Sequence, residues 1–273
     1  MYSYWEQQSF SFYHHIVAGA GIVGLSTAIE LKQRFPAERV LVLERGLLPT
    51  GASTRNAGFA CMGSVTELLA DLRTTSEAVV VQLYSDRKTG LQLLRQRLGD
   101  DKIGYKANGS YELISEKELP ALQNIAYLND MLLPVTHTPA FTEVSDQLAT
   151  FGFSTQHTSA LIQNNCEGEL HTGKMMRALT DYATMQGIEI KTGANITSFE
   201  EQEKDVDVLV MDLHRKQDHR LKCGTFFICT NAFTNQLLPN AGVVPGRGQV
   251  LITEPIEGLF KGVYHFDEGY YYF

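Results

Sequence analysis

The chain has 273 residues, 44% of them hydrophobic, enough to bury a large core in one or two domains. Twenty-three Lys and Arg against 31 Asp and Glu leave a net charge of −8, which argues against nonspecific nucleic-acid binding. The longest clearly apolar run, residues 16–29, falls short of the ~20 residues a bilayer span requires, so no transmembrane segment is expected.

Residues 1–13 are polar and aromatic and are expected to pack as a leader on the surface of a domain. The first basic residue is Lys32, so the charged n-region of a secretory signal is missing and a cytoplasmic protein is expected. His14 and His15 enter the first strand as spacers, because no acidic or cysteine partner lies near them in sequence. The run His15-Ile-Val-Ala-Gly-Ala-Gly-Ile-Val-Gly-Leu-Ser-Thr-Ala-Ile-Glu30 predicts a short apolar strand that passes through Gly19, Gly21 and Gly24 into a helix over residues 22–35, stopped at Pro36. Gly19 allows the tight turn, Gly21 lets the backbone approach a pyrophosphate, and Gly24 lets the helix pack close to the sheet. An anion would rest on the free N–H groups of the helix N-terminus. A second strand over residues 39–44 ends in Glu44, 25 positions after Gly19. An acid at about that distance (~20 positions in general) bonds the adenosine ribose hydroxyls. Strand, glycine turn, helix, strand and acid in this order predict a dinucleotide-binding βαβ unit, and Glu44 suits either NAD or FAD.

The segment that follows, Gly51-Ala-Ser-Thr-Arg-Asn-Ala-Gly58, is small and flexible enough to bring backbone amides close to a ligand. Coming after the βαβ unit and its acid, it resembles the flavin-binding segment of the D-amino-acid-oxidase-like family of FAD-dependent oxidoreductases, which includes glycine oxidase, sarcosine oxidase and D-amino-acid dehydrogenases. The resemblance implies FAD as cofactor. It places Gly19, Gly21, Ile22, Val23 and Gly24 at the pyrophosphate and Glu44 with Arg45 at the adenosine ribose. Ala52, Ser53, Arg55, Asn56, Ala57, Gly58 and Phe59 would line the phosphate, ribityl and flavin side. A covalent flavin bond to Cys61 is not implied, since the family's covalent cysteine belongs to a later segment. Cys61, Cys166, Cys223 and Cys229 form no C-x-x-C pair and no metal-ligand spacing, so no metal site is expected and the four read as buried free thiols.

Further along, residues 65–98 predict helix with leucines and valines at helical spacing. Residues 104–114 change to a β pattern with an Asn-Gly turn signal, and Ser115-Glu-Lys-Glu118 resembles a capping box opening the next helix. Residues 143–164 are irregular and strand-rich. A helix over residues 175–185 ends at Gly187, and His171 before it reads as a turn residue capping that helix. Strands follow over residues 188–192 and 194–199; by the resemblance the chain re-enters the FAD domain here, and Ile196 matches the position whose backbone contacts the adenine. Residues 205–213 alternate and turn through a charged tip at residues 215–220 into an apolar strand ending in Thr230-Asn-Ala-Phe-Thr234. Asn231 and Ala232 correspond to a turn that closes over the cofactor. Val244-Pro-Gly-Arg-Gly-Gln249 matches the family's Arg-Gly-Gln strand near the isoalloxazine ring, with Gln249 among the contacts and Arg247 as a cation there. Residues 267–273 form a turn entering an aromatic strand, similar to the family segment beside the substrate.

The fold implied is α/β: a Rossmann-like FAD-binding domain, residues 1–84 and 155–242, with an inserted α+β substrate domain, residues 85–154 and 243–273, that is incomplete. Phe273 ends inside an apolar strand where family members continue, so the chain is expected to be the N-terminal portion of a longer enzyme, with impaired FAD affinity and strand edges that invite self-association. The activity implied is oxidation of the C–N bond of a small amine or amino acid by hydride transfer to flavin. No histidine sits in a motif that identifies a general base, and the catalytic residues are left unassigned. A noncatalytic FAD- or ADP-binding remnant or subunit and an NAD-dependent dehydrogenase are the alternatives.

Overall fold

Strands and helices alternate along the computed structural model, which describes residues 3–212, 216–246, 248–254, 256–258 and 262–273. Residues 3–56 hold α1 (Tyr4–Phe10), β1 (Phe12–Ala18), α2 (Ile22–Arg34) and β2 (Val40–Leu43), then a 3-10 turn, Ala52–Thr54. The middle of the chain holds β3 (Phe59–Ala60), α3 (Val65–Asp71), α4 (Glu77–Leu98), α5 (Asp100–Ile103), β4 (Ser110–Ile114), α6 (Ile125–Thr136), β5 (Phe141–Glu143), β6 (Ala160–Asn164) and β7 (Gly168–Glu169). Then come α7 (Thr172–Met185), β8 (Glu189–Lys191), β9 (Ile196–Glu201), β10 (Val206–Asp212) and β11 (Gln217–Ile228), and last β12 (Val263–Phe266) and β13 (Tyr271–Tyr272). The chain divides into two compact units, residues 1–56 with 172–250 and residues 57–171 with 251–273. These bounds differ from the expected domains in assigning residues 243–250 to the first unit and residues 57–84 and 155–171 to the second. There Met62, Val65, Leu68, Val80 and Ala160 share one apolar cluster with Leu128 and Leu132.

The first unit is a six-stranded sheet in the order β8-β2-β1-β11-β10-β9, with β8, β2, β1 and β11 parallel and β10 antiparallel to both of its neighbours. Ile16, Val17 and Ala18 are all buried, as a parallel strand covered on both faces must be. Helix α2 turns Leu25, Ala28 and Ile29 inward, ends one residue before its cap Phe35, and lies against β1, β2 and α7. Two expectations are corrected here. Residues 217–220 belong to the twelve-residue strand β11 instead of a charged tip: Arg220 pairs with Asp207 at 3.0 Å and Lys222 with Asp205 at 3.2 Å, so the charges satisfy one another across the β10–β11 ladder. Arg215, part of the expected tip, lies outside the described residues. His15 does have an acidic partner, Glu38 at 2.6 Å, which the β1–β2 pairing brings from 23 residues away.

The second unit is built on a five-stranded sheet, β13-β12-β4-β6-β5. One face of β4 and β6 packs Ile114, Ile162 and Ala160 against α3, α4 and α6. On the other, Tyr264 stacks between Tyr111 and Phe273, each ring centre 5.2 Å away, beside Phe151 and Phe153. The helix expected over residues 65–98 is two helices. The Thr74 and Thr75 hydroxyls bond the Asp71 carbonyl, and Ser76 starts α4 afresh. The Ser115–Glu118 capping box is present, opening a 3-10 helix, Glu116–Asn124. Asn108-Gly109 turns the chain into β4, Gly109 at φ +74°, so the strand starts after the turn. Residues 267–270 close the β12–β13 hairpin.

Two carboxylates lie buried in this unit. Glu112 accepts hydrogen bonds from Ser64 Oγ (2.9 Å), Val65 N (3.0 Å), Thr66 N (3.2 Å) and Thr66 Oγ1, which fixes the first turn of α3. Glu167 accepts from Met62 N, Gly63 N (2.9 Å) and Ser110 Oγ. Burial raises both carboxyls above the ordinary range against the pull of these donors, while burial lowers His265, opposed by the nearby Glu167. The folded state therefore holds carboxyl protons that the unfolded chain releases. That contribution is full below the ordinary carboxyl value and is lost as pH rises through the raised one. In urea melts, the stability of the wild type relative to Glu167→Gln is expected to fall as pH rises from 4.5, the ordinary glutamate value, toward neutrality; a rise over that window contradicts a raised carboxyl. Glu112→Ala, which strips the partners from two backbone N–H groups and two hydroxyls, is expected to cost about 2–4 kcal/mol in the same melts.

Candidate functional site

The carboxyl ends of β2, β1 and β11 meet at the glycine turn. Gly19 N donates to Leu43 O at 2.8 Å and Cys229 N to Ala18 O at 2.9 Å, binding the turn to both neighbouring strands. Gly19 holds φ +101°, and a Cβ there would lie 2.6 Å from Cys229 O. At Gly24 a Cβ would lie 1.9 Å from Gly19 O, so the first turn of α2 rests directly on the strand end. Gly21 differs: the nearest atom to a Cβ on it is Ser53 Oγ, at 3.0 Å, and nothing else comes closer than 4.0 Å. The backbone is exposed to a ligand at Gly21 and sealed by packing at Gly24. Val23, in the first turn, is 63% exposed.

The predicted residues on this unit gather around that turn, with one exception. Ser53 Oγ accepts from Ile22 N at 3.0 Å, held by the 3-10 turn of residues 52–54, which leans on α7. Asn56 Nδ2 donates back to the carbonyls of Ala52 (3.0 Å) and Ser53 (3.1 Å), shaping the same loop; Arg55 is exposed on it. Glu44 accepts from Ala20 N (3.0 Å) and Gly46 N (2.9 Å), which aims its carboxylate across the turn and leaves each oxygen a second lone pair. Ala194 N donates to Glu44 O and Gly193 N to Gly46 O, both at 2.9 Å, bringing the start of β9, with Ile196, beside the acid. The side chain of Ile196 itself packs into the sheet core. Arg45 stacks over the ring of Phe233 at 4.2 Å and donates to Gln236 Oε1 at 3.0 Å, on the 3-10 helix that begins with Asn231 and Ala232. Burial raises the Cys229 thiol, and a hydrogen bond with Thr27 opposes it, so a neutral thiol backs the turn.

Gln249 is the exception: it is exposed in a stretch without regular structure. The Arg-Gly-Gln strand expected around it is not formed among the described residues of 244–254, where Val244, Leu251 and Ile252 are almost fully exposed. Proline and closely spaced glycines disfavour a strand there. Arg247 lies outside the described residues. Ala57, Gly58 and Phe59 belong to the second unit. There Gly58 takes φ +83° and accepts from Leu170 N at 2.8 Å, and Phe59 meets Tyr272 edge to face at 5.1 Å. Cys61, expected to be buried, is exposed; Cys223 is buried as expected.

Some contributors were not anticipated. Gln236 and Phe233 fix Arg45 from 191 and 188 residues away, and sequence carries no signal for such a pairing. Among the described residues no group of His, Cys, Asp and Glu is arranged to hold a metal ion, and no helix is long and apolar enough to cross a membrane.

A parallel sheet whose glycine turn, helix N-terminus and acid converge at its carboxyl edge defines a dinucleotide-binding α/β protein. The chain belongs to the FAD dependent oxidoreductase family, whose model matches residues 14–273. FAD is that family's cofactor, and a turn open at Gly21 beside a serine hydroxyl and a carboxylate fits its ADP half. No curated protein sequence matches the chain. Among solved structures it resembles glycine oxidase from Geobacillus kaustophilus (18% identity, TM-score 0.63, 85% of this chain and 59% of that one). It also resembles L-amino acid deaminase from Proteus vulgaris (18%, 0.66, 85% and 50%) and L-proline dehydrogenase from P. horikoshii (19%, 0.67, 94% and 64%). At these identities the likeness concerns the fold. The chain spans between half and two thirds of the length of these three structures.

Gly21, the cap of α2, and Gly24, in its first turn, separate binding from folding. Gly21→Val should keep the far-UV circular dichroism of the wild type and lose ADP and FAD binding by calorimetry. Gly24→Val should destabilise the unit itself by roughly 3 kcal/mol, read in denaturant melts.

Proposed function

We propose that this chain forms part of a flavoenzyme that oxidises the C–N bond of a small amine or amino acid. The observation that carries the reading is the combination of the family match with a glycine turn whose backbone is open at Gly21 and faced by Ser53 and Glu44. When bound, FAD supplies the electron acceptor for a hydride leaving the carbon that bears the amine; the protein supplies binding and orientation. Glu44 accepts the adenosine ribose hydroxyls through its free lone pairs, and Arg45, braced by Phe233 and Gln236, lies beside it. The amides of Ile22 and Val23 and the hydroxyl of Ser53 would hold the pyrophosphate, Ile22 N being bonded to Ser53 Oγ in this structure. The backbone at Ile196 would border the adenine. Ala52, Arg55, Asn56, Asn231 and Ala232 line the path toward the flavin. Ala57, Gly58, Phe59 and Gln249 are assigned to the flavin ring by resemblance alone. The amine reacts in its neutral form, so no side chain is given the role of general base.

The solved relatives, an oxidase, a deaminase and a dehydrogenase of amino acids, support the substrate class. A second reading, an FAD- or ADP-binding piece without turnover, draws support from the lack of regular structure among the described residues around Gln249. The family match counts against an NAD-dependent dehydrogenase. The purified chain is expected to show flavin absorbance in the visible that bleaches when an amine or amino-acid substrate is added anaerobically. Flavin without bleaching across a panel of amines supports the second reading, and NAD binding without flavin rejects both.

A further inference from the structure

Three segments of the second unit line a cleft of about 400 Å³, within the ~300–1,000 Å³ range of small-molecule sites. The first is α3 with the turn that follows it, the second the 3-10 helix Glu116–Asn124, and the third the turn between β12 and β13. These walls are joined to one another. Leu69 and Leu72 pack in the same apolar cluster as Ala121 and Leu122, and Lys117 Nζ donates to Asp267 Oδ1 at 2.9 Å. A Cβ on Gly269 would lie 3.7 Å from Glu67 Oε2, so the β12–β13 turn rests against α3. The cleft lies wholly within this unit and is independent of the glycine turn and its cofactor.

The lining side chains select the ligand. Leu69, Pro120 and Ala121 supply the apolar part. Of the charged groups, Glu118 is turned to its helix cap, where it accepts from Ser115 N (3.0 Å) and Ser115 Oγ, and Lys117 is held by Asp267. Arg73 and Glu268 are left. Both are exposed, and among the described residues neither side chain has a hydrogen bond or an ion pair, Glu268 only adding to the negative field on Lys117. Glu268 also takes φ +53°, a left-handed backbone that glycine and asparagine favour, so an acid is kept there against its conformational preference. An unpaired guanidinium offers parallel N–H donors to the two oxygens of a carboxylate, and an unpaired carboxylate suits an ammonium. Two cations against three carboxylates line the cleft, an excess of negative charge that disfavours phosphate and other multiply charged anions. A ligand that is neutral overall and charged at both ends meets both free groups. We infer that this cleft binds a small zwitterion with an apolar body, the chemistry shared by free amino acids and short peptides, with its carboxylate on Arg73 and its ammonium on Glu268.

Calorimetric titration of the 273-residue protein with L-leucine and with leucyl-leucine is expected to give saturable heat, and the tighter of the two names the source of the ligand. Isocaproate, which lacks the ammonium, and isopentylamine, which lacks the carboxylate, should each bind about tenfold more weakly than leucine or worse. Arg73→Gln and Glu268→Gln, neither of which removes a described hydrogen bond, should each cost a similar factor of about ten with unchanged circular dichroism. In amide NMR spectra the shifts induced by the ligand should centre on residues 66–73, 117–124 and 267–268. Four results overturn the inference: no saturable heat from either zwitterion; isopentylamine binding as tightly as leucine, which makes the cleft a plain cation site; inorganic phosphate binding more tightly than either zwitterion; or binding kept in both variants with shifts centred elsewhere, which places the ligand at another site. None of these readouts depends on flavin, so they succeed or fail apart from the proposed oxidation.

Discussion

At the end of the central strand of the first unit there is no room for a single carbon atom. A Cβ on Gly24 would come within 1.9 Å of the Gly19 carbonyl oxygen, and one on Gly19 within 2.6 Å of the Cys229 carbonyl oxygen. This close approach lets the first turn of α2 sit on the sheet edge, and it draws the ends of β1 and β11 together with Cys229 behind the turn. The rest of the candidate site is assembled on that base. Glu44 holds Ala20 N and Gly46 N, Ser53 holds Ile22 N, and the start of β9 is tied to the Glu44 carbonyl. Of the three turn glycines, Gly21 is the one whose Cβ would meet only the Ser53 side chain, so packing and ligand access are divided between glycines three residues apart.

The second unit solves a different problem with buried charge. Glu112 and Glu167 each gather donors from the chain around α3 and its preceding loop, fixing Met62, Gly63, Ser64 and the first turn of the helix. Burying a carboxyl is costly, and only the number of donors on each makes it tolerable. The cost shows in the raised affinity of both groups for a proton, which makes this unit's stability fall as pH rises above the ordinary carboxyl value.

The βαβ unit was legible in the sequence down to single residues, because every part of it is local. The turn, the helix start, Pro36 as a stop and Glu44 as an acid at a fixed distance depend on neighbours in the chain. The misjudged features depend on distant ones. His15 lacked an acid only until β1 met β2, and residues 217–220 resembled a loop tip because the carboxylates that neutralise Arg220 and Lys222 lie on β10 and one residue before it. The stretch around Gln249 carries the family's pattern but forms no strand among its described residues.

By itself, then, the sequence determined the dinucleotide-binding unit, the family resemblance and the identity of most candidate contacts, since glycine sterics and chain spacing are properties of the chain alone. Tertiary structure decided which contacts are assembled: Arg45 braced by Phe233 and Gln236, Ile196 brought to Glu44 through backbone pairing while its side chain enters the core, and Gln249 left apart. It also decided where charge is buried and which aromatic rings face water, because both depend on what packs behind a residue, and in this chain that is set by strands up to about two hundred residues away.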